Sequence, residues 1–186
     1  MTWYVVDGMD GSGKSTAAYE LKDILETRGR TVLLIAHPNR NTKVGRLSAE
    51  FLTKKGKSAI LFATVFFGLS VIQSLFKIKH SKCNDFIFVR YTLSVSYLPV
   101  SIVIPAYKII TAMLPKPDVK IYKDVDVQDA LKRIEKRGET LEVFENLDAL
   151  IDTREKMLML TDDWYTINGR FTPDEVSDDL IKIINS

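Results

Sequence analysis

With 186 residues, 46% of them hydrophobic and 27% charged, the chain has enough material for one sizeable core and is short for two domains. A formal charge of +2, with lysines and arginines scattered along the chain, lacks the electrostatic footprint of a nucleic-acid binder. Cys83 is the only cysteine, so an internal disulfide is excluded and a reducing, cytoplasmic setting is expected.

The chain opens with "TWYVVDG", an apolar run stopped by glycine that predicts a buried strand; with no basic n-region or cleavage site before it, no signal peptide is expected. "KSTAAYELKDILETRG" carries apolar residues at helical spacing and ends on Gly29. "RTVLLIAH" predicts a second strand, Pro38 to Arg40 a turn, and "VGRLSAEFLTKKG" a helix ending at Gly56. Ser58 to Phe76, 19 residues without a charge, predicts one long helix. "DFIFVRY" is a third strand; the segment from Ser94 to Met113 is expected to be helical but interrupted at Pro99 and Pro105. "DVKIYKDV" comes next as a strand, "VQDALKRIEKRG" and "LDALIDTREKMLMLTD" as helices, and "WYTING" as the last strand. "TPDEVSDDLIKIIN" closes the chain behind a Thr172–Glu175 capping box. Alternation of strand and helix predicts a single α/β domain over residues 1–186, with a parallel sheet and helices on both faces.

The chemistry concentrates in "VVDGMDGSGKST". Gly8, Gly13, Lys14 and Ser15 fit G-x-x-x-x-G-K-[ST] between a predicted strand and a predicted helix. Glycines let successive backbone N–H groups turn inward, and the following helix adds its positive terminus. Residues 10–16 (Asp10, Gly11, Ser12, Gly13, Lys14, Ser15 and Thr16) thus form a candidate cradle for the phosphates of ATP. Lys14 is placed for the β- and γ-phosphates, and the Ser15 hydroxyl for Mg²⁺.

A phosphate loop names the donor and leaves the reaction open. Over nearly the whole chain, the order of elements and several motifs resemble the thymidylate kinase family of P-loop nucleoside monophosphate kinases. "DGMDGSGKST" resembles its phosphate loop, "LFA" at Leu61–Ala63 the start of its base-stacking helix, and "VRY" at Val89–Tyr91 the end of its third strand. "RIEKRGE" resembles the opening of the family's lid, and "FENLDALIDTREKML" the segment after it, placing a lid at about residues 133–146.

The resemblance implies transfer of a phosphoryl group from ATP to thymidylate, with Mg²⁺, in a homodimer. On the acceptor side it implies Asp10 for the sugar and Phe62 for the base, to which Phe66, Arg90 and Tyr97 are added as candidates; Lys14, Arg90 and Arg137 are the candidate catalytic residues, and Arg133 a second contact to ATP. Arg90, at the carboxyl end of a parallel strand, and Arg133 with Arg137, four apart on one helical face, make sense on physical grounds too.

Some positions depart from the family pattern. Val89 stands where the family has a metal-holding aspartate, and Asp85, four residues or roughly 13 Å along the strand, is too far to replace it. Val65 and Phe66 replace a polar residue and a base-reading arginine; Val143 replaces a lid arginine. Two further readings therefore stay open: a kinase of this fold with a less polar acceptor, such as a lipid-linked or isoprenoid phosphate, and an ATP-binding regulator without turnover. For the uncharged helix, a partner subunit covering one side is set against an apolar acceptor pocket or contact with a membrane surface; a membrane span would pull apart strands that must share one sheet. His37 is read as a loop residue that touches the acceptor or has no such role, and Arg154 as either a lid-flanking or a surface charge.

Overall fold

A computed structural model describes residues 1–54, 57–138 and 144–186. The elements run β1 (Thr2–Asp7), α1 (Lys14–Thr27), β2 (Val32–Ala36), α2 (Lys43–Leu52), α3 (Lys57–Lys79) and β3 (Asp85–Val89). A 3-10 helix (Thr92–Tyr97) leads to α4 (Val100–Met113), β4 (Val119–Asp124), α5 (Val127–Arg137), α6 (Leu147–Leu158), β5 (Tyr165–Asn168) and α7 (Pro173–Asn185). The expected end of the second helix at Gly56 falls outside the described residues.

All strand pairs are parallel, in the order β2-β3-β1-β4-β5. Every residue of β3 is buried, as expected of a strand covered on both faces. One face of the sheet packs Tyr4, Val6, Ile87 and Ile121 against Leu21 and Leu25 of α1 and Leu180 and Ile183 of α7. The other face packs Val5, Phe86, Phe88 and Tyr122 with Val71 of α3, Val103 of α4 and Leu150 and Met157 of α6. The chain leaves β1 toward β2 and leaves β4 toward β5, so these adjacent strands send their connections in opposite directions. A crevice forms at their carboxyl ends, where sheets of this type bind ligands.

The helix starts obey local chemistry. Thr42, Asp126, Asn146 and Thr172 each accept a hydrogen bond from a backbone N–H of the first turn, and the Thr172–Glu175 capping box forms. The interruption expected at Pro105 does not occur. Pro99 is the N-cap of α4, and the helix then runs unbroken through Pro105 to Met113. The carbonyl that loses its partner belongs to Ser101, which is exposed, so water satisfies it and the break is avoided.

Helix α3 is tied along its inner side. Ser48 Oγ donates to the Ala63 carbonyl at 3.0 Å, and the backbone N–H of Asn39 donates to Ser70 Oγ at 3.1 Å. Ser74 Oγ lies 2.9 Å from Nε2 of His37. These bonds lay the helix along the fold, although Phe62–Lys79 is long and apolar enough to cross a bilayer.

Candidate active site

The phosphate loop turns between β1 and α1. Gly11 has φ +75°, and a Cβ there would stand 2.4 Å from the carbonyl oxygen of Ala130. At Gly8 a Cβ would stand 2.5 Å from the carbonyl oxygen of Lys123. The loop therefore closes against two neighbouring elements only because these positions lack side chains.

Lys14 opens α1 and is 7% exposed. Its ammonium donates to the Met9 carbonyl at 3.0 Å and to Asp10 Oδ1 at 3.1 Å. Asp10 also accepts from the Arg90 guanidinium, and its other oxygen accepts from the Tyr97 hydroxyl at 3.1 Å. One buried carboxylate thus gathers a donor from α1, one from the end of β3 and one from the 3-10 helix.

Asp7 explains how the loop and Arg90 are brought into register. Its carboxylate accepts the N–H groups of Gly8 and Tyr91, both at 2.9 Å, and pins the start of the loop to the chain leaving β3. Burial pushes this carboxyl above the ordinary aspartate range. Arg90 itself has φ +66°, a left-handed conformation that costs a non-glycine residue on the order of 1 kcal/mol. Its N–H donates to the Val6 carbonyl at 3.1 Å, and its carbonyl accepts from Nδ1 of His37 at 3.0 Å. Its Nε is buried with no acceptor among the described residues. A strained arginine with an unused buried donor is arranged for an anion.

His37 sits at the edge of the central cavity but is locked into the fold behind it. It is 3% exposed, and burial lowers its imidazole to about 4, so it is neutral and serves as a buried bracket between Arg90 and α3.

A cavity of about 470 Å³ opens beside the loop. Lys14, Arg40, Lys77, Arg90 and Arg137 face it, and Asp10 is the one acid among the described residues of its wall. Arg137 is aimed by Glu145, a buried carboxylate 2.7 Å from its guanidinium. The hydroxyl-bearing Ser15 is exposed on the same wall. Val89 also lines this wall, 3% exposed, and offers no metal ligand. Asp85 is at the opposite end of β3, fully buried and paired with Arg30. Val143 lies outside the described residues, as does the stretch 139–142 of the expected lid.

On the other side of the loop is a cavity of about 290 Å³ lined by Ser12, Thr16, Lys123, Arg133 and Phe171. Arg133 donates to the carbonyls of Gly169, at 2.8 Å, and Gly11, at 3.4 Å, so it bridges the loop to the end of β5. Burial lowers the Lys123 ammonium to about 8, and it donates to the Asn168 carbonyl at 2.8 Å.

The acceptor candidates separate. Asp10, Arg90 and Tyr97 meet in a small cavity with Ser48, Phe67 and Phe144. Phe62 and Phe66 do not line it. Their rings pack on Phe51 of α2, with centroids 5.3 and 5.8 Å away. The reason is helical phase: Ala63, Phe67 and Val71 take the inner face of α3, and residues one position earlier turn toward α2 and solvent. Arg154 is held bidentately by Asp124 at 2.7 and 2.8 Å, away from these cavities. Phe67 lines the small cavity, as the apolar-pocket reading of the uncharged helix expects, whereas Arg40 and Lys123 line the other cavities although sequence reasoning misses them. Only the position of Arg40, shortly after a strand end, gives any signal.

A parallel sheet in this order, with a glycine-rich loop at the end of its first strand and cations converging beside it, is a P-loop NTPase fold with a phosphoryl-transfer site. Residues 6–180 match the family model described as thymidylate kinase, and the chain belongs to that family. A "Probable thymidylate kinase" of Methanosphaera stadtmanae is 32% identical over 169 residues, which cover 85% of this chain and 83% of that protein. One of Pyrobaculum aerophilum is 30% identical, covering 99% and 96%. The solved thymidylate kinase of Candida albicans superposes with a TM-score of 0.76 at 22% identity, covering 99% of this chain and 91% of that one.

Proposed function

We propose that this protein transfers the γ-phosphoryl group of ATP to thymidylate, giving ADP and thymidine diphosphate. The observation that carries the reading is the convergence of Lys14, Arg40, Arg90 and Arg137 on one cavity whose only described acid is Asp10. Two phosphate-bearing reactants bring concentrated negative charge, and a cavity walled by cations holds both in line.

In the transfer, a non-bridging oxygen of the acceptor phosphate attacks the γ-phosphorus. The bond from that phosphorus to the β,γ-bridging oxygen breaks, and ADP leaves. The backbone N–H groups of the loop hold the donor phosphates, and Lys14 tracks the migrating group. Arg90 presents its fork, including the unused Nε, to the acceptor phosphate. Phosphate oxygens compete with Asp10 for Lys14 and Arg90, and the carboxylate then becomes available to a sugar hydroxyl. Arg137, on the helix that leads into the 133–146 lid, closes over the donor.

The residues suit a magnesium ion carried by ATP: the exposed Ser15 hydroxyl offers one ligand, and phosphate oxygens and water complete the set. Bound there, the ion would neutralise charge on the phosphates. The 186 residues act as one domain in this reading. The test is ADP formation from ATP and Mg²⁺ with thymidylate and the other nucleoside monophosphates, with Lys14→Ala as control. Turnover with thymidylate above the others supports the proposal; ATP binding without turnover on any of them overturns it.

A further inference from the structure

Helix α3 carries a glycine in its middle. Gly68 costs the helix stability relative to alanine, because glycine has more backbone freedom to lose on folding. Other glycines of the fold are explained by a close neighbour. A Cβ at Gly45 would stand 2.0 Å from the Asn39 carbonyl oxygen, and one at Gly169 would stand 2.5 Å from that of Asp124. Gly68 is different. A Cβ there meets no heavy atom within 4 Å, and the residue lacks the left-handed φ of Gly29 or Gly138. Nothing packed against it within the chain calls for a glycine, and what the missing side chain leaves is space.

That space is an apolar chamber of about 230 Å³ between α3 and α4, with Gly68 in its wall. Val71, Tyr91 and Val95 form its floor, each at most 5% exposed. Leu98, Ile110 and Leu114 line the side toward α4, and the exposed Met113 stands at the mouth. No charged side chain lines the chamber among the described residues. Three aromatic rings do: those of Phe67, Tyr91 and Tyr97.

One wall is shared with the small cavity that reaches Asp10 and Arg90: Thr64, Phe67, Ser94 and Tyr97 line both. The Tyr91 hydroxyl donates to the Pro115 carbonyl at 2.9 Å, and the Tyr97 hydroxyl donates to Asp10. Ser94 Oγ is buried and has no hydrogen-bond partner among the described residues. A buried hydroxyl left unpaired is costly, so Ser94 offers a contact to a polar group that enters beside it.

These features define a ligand. A wall without charge favours a neutral molecule, since an ion would enter with no counter-charge to meet it. Aromatic neighbours, with a methionine at the mouth, favour a ring. The volume of 230 Å³ exceeds the about 150 Å³ that holds a benzene molecule, which leaves room for two fused rings. We infer that the chamber between α3 and α4 binds a neutral bicyclic aromatic compound with one hydrogen-bonding group, of the indole type. The site adjoins the acceptor side of the crevice but includes neither Asp10 nor Arg90, so the inference goes beyond phosphoryl transfer and does not depend on which acceptor is used. Its lining comes from one chain, and a partner subunit laid over the exposed side of α3 would add a roof to it.

The test is calorimetric titration of the full chain with indole. A dissociation constant of roughly 0.1–1 mM is expected for so few atoms. Indole-3-carboxylate, the same rings with a charge, is expected to bind about tenfold more weakly or worse. Gly68→Leu puts a side chain into the open space and is expected to weaken indole about tenfold or more, while ATP binding is unchanged and reports intact folding. Ser94→Ala is expected to weaken indole about fivefold and naphthalene, which has no hydrogen-bonding group, less than about twofold. Absence of indole binding overturns the inference, and so does equal binding by Gly68→Leu or of the carboxylate. Mutually exclusive binding of indole and thymidylate assigns indole to the acceptor cavity and overturns it too.

Discussion

The phosphate loop and the wall facing it, built from α2, α3, the end of β3 and the 3-10 helix, meet at Asp10 but are held together in different ways. The loop is a backbone device. Its shape comes from glycines that approach the Ala130 and Lys123 carbonyls too closely for any side chain, and its charge from the start of α1. The opposite wall is a side-chain device. Arg90 is held left-handed by Asp7, Val6 and His37, and Phe67 and Tyr97 come from elements about 30 residues apart in the chain. A backbone device tolerates change among its neighbours, so the donor side keeps its motif intact. A side-chain device takes on a new chemistry by substitution: Val89 puts an apolar side chain on the wall of the central cavity, whereas Val65 and Phe66 face away from it and leave it unaltered.

If that division holds, damage to the two sides separates in kinetics. Lys14→Ala removes the one ammonium inside the loop and is expected to lower phosphotransfer on the order of 10³-fold at any acceptor concentration, measured as ADP formation. Arg90→Lys keeps the charge but loses the fork and the buried Nε. A fall of roughly 10²-fold in kcat/KM for the acceptor is expected, with the KM for ATP unchanged; an equal rise in both KM values would erase the boundary between the sides.

His37 tests the bracket behind Arg90. Its folded value of about 4 lies below the ordinary 6.5, so its contribution to stability is complete above pH 6.5. As pH falls from 6.5 toward 4 the unfolded chain takes up the proton first, and on the order of 3 kcal/mol is lost. Denaturant unfolding at pH 7 and pH 4.5 is expected to show a smaller acid loss for His37→Gln than for the unaltered protein.

Two finer tests concern the acceptor wall alone. Phe67→Ala is expected to raise the acceptor KM about tenfold through loss of a half-buried ring on the cavity wall, whereas Phe66→Ala, which faces Phe51, changes it less than about twofold. Val89→Asp puts a carboxylate on the wall of the central cavity. A few-fold gain in rate, roughly threefold, is expected at limiting Mg²⁺, read from the magnesium dependence of turnover.

The legible signals in the sequence are those with short range. Strand and helix periods, the glycine pattern with Lys14 and Ser15, and the capping box at Thr172 depend on neighbours a few residues away. They determined the α/β class, the order of elements and the donor side of the crevice. Arg40 and Lys123 carry no such pattern, because what brings them to a cavity is the packing of separate elements. Three outcomes were decided only by tertiary structure. The phase of α3 set Phe67 toward the crevice and Phe62 and Phe66 away from it, since one residue turns a helix by about 100° and composition does not fix that angle. The burial of His37 between Arg90 and Ser74 made a loop histidine into a neutral bracket. The exposure of Ser101 let α4 continue through Pro105, because a carbonyl that has lost its partner is tolerated only where water can reach it.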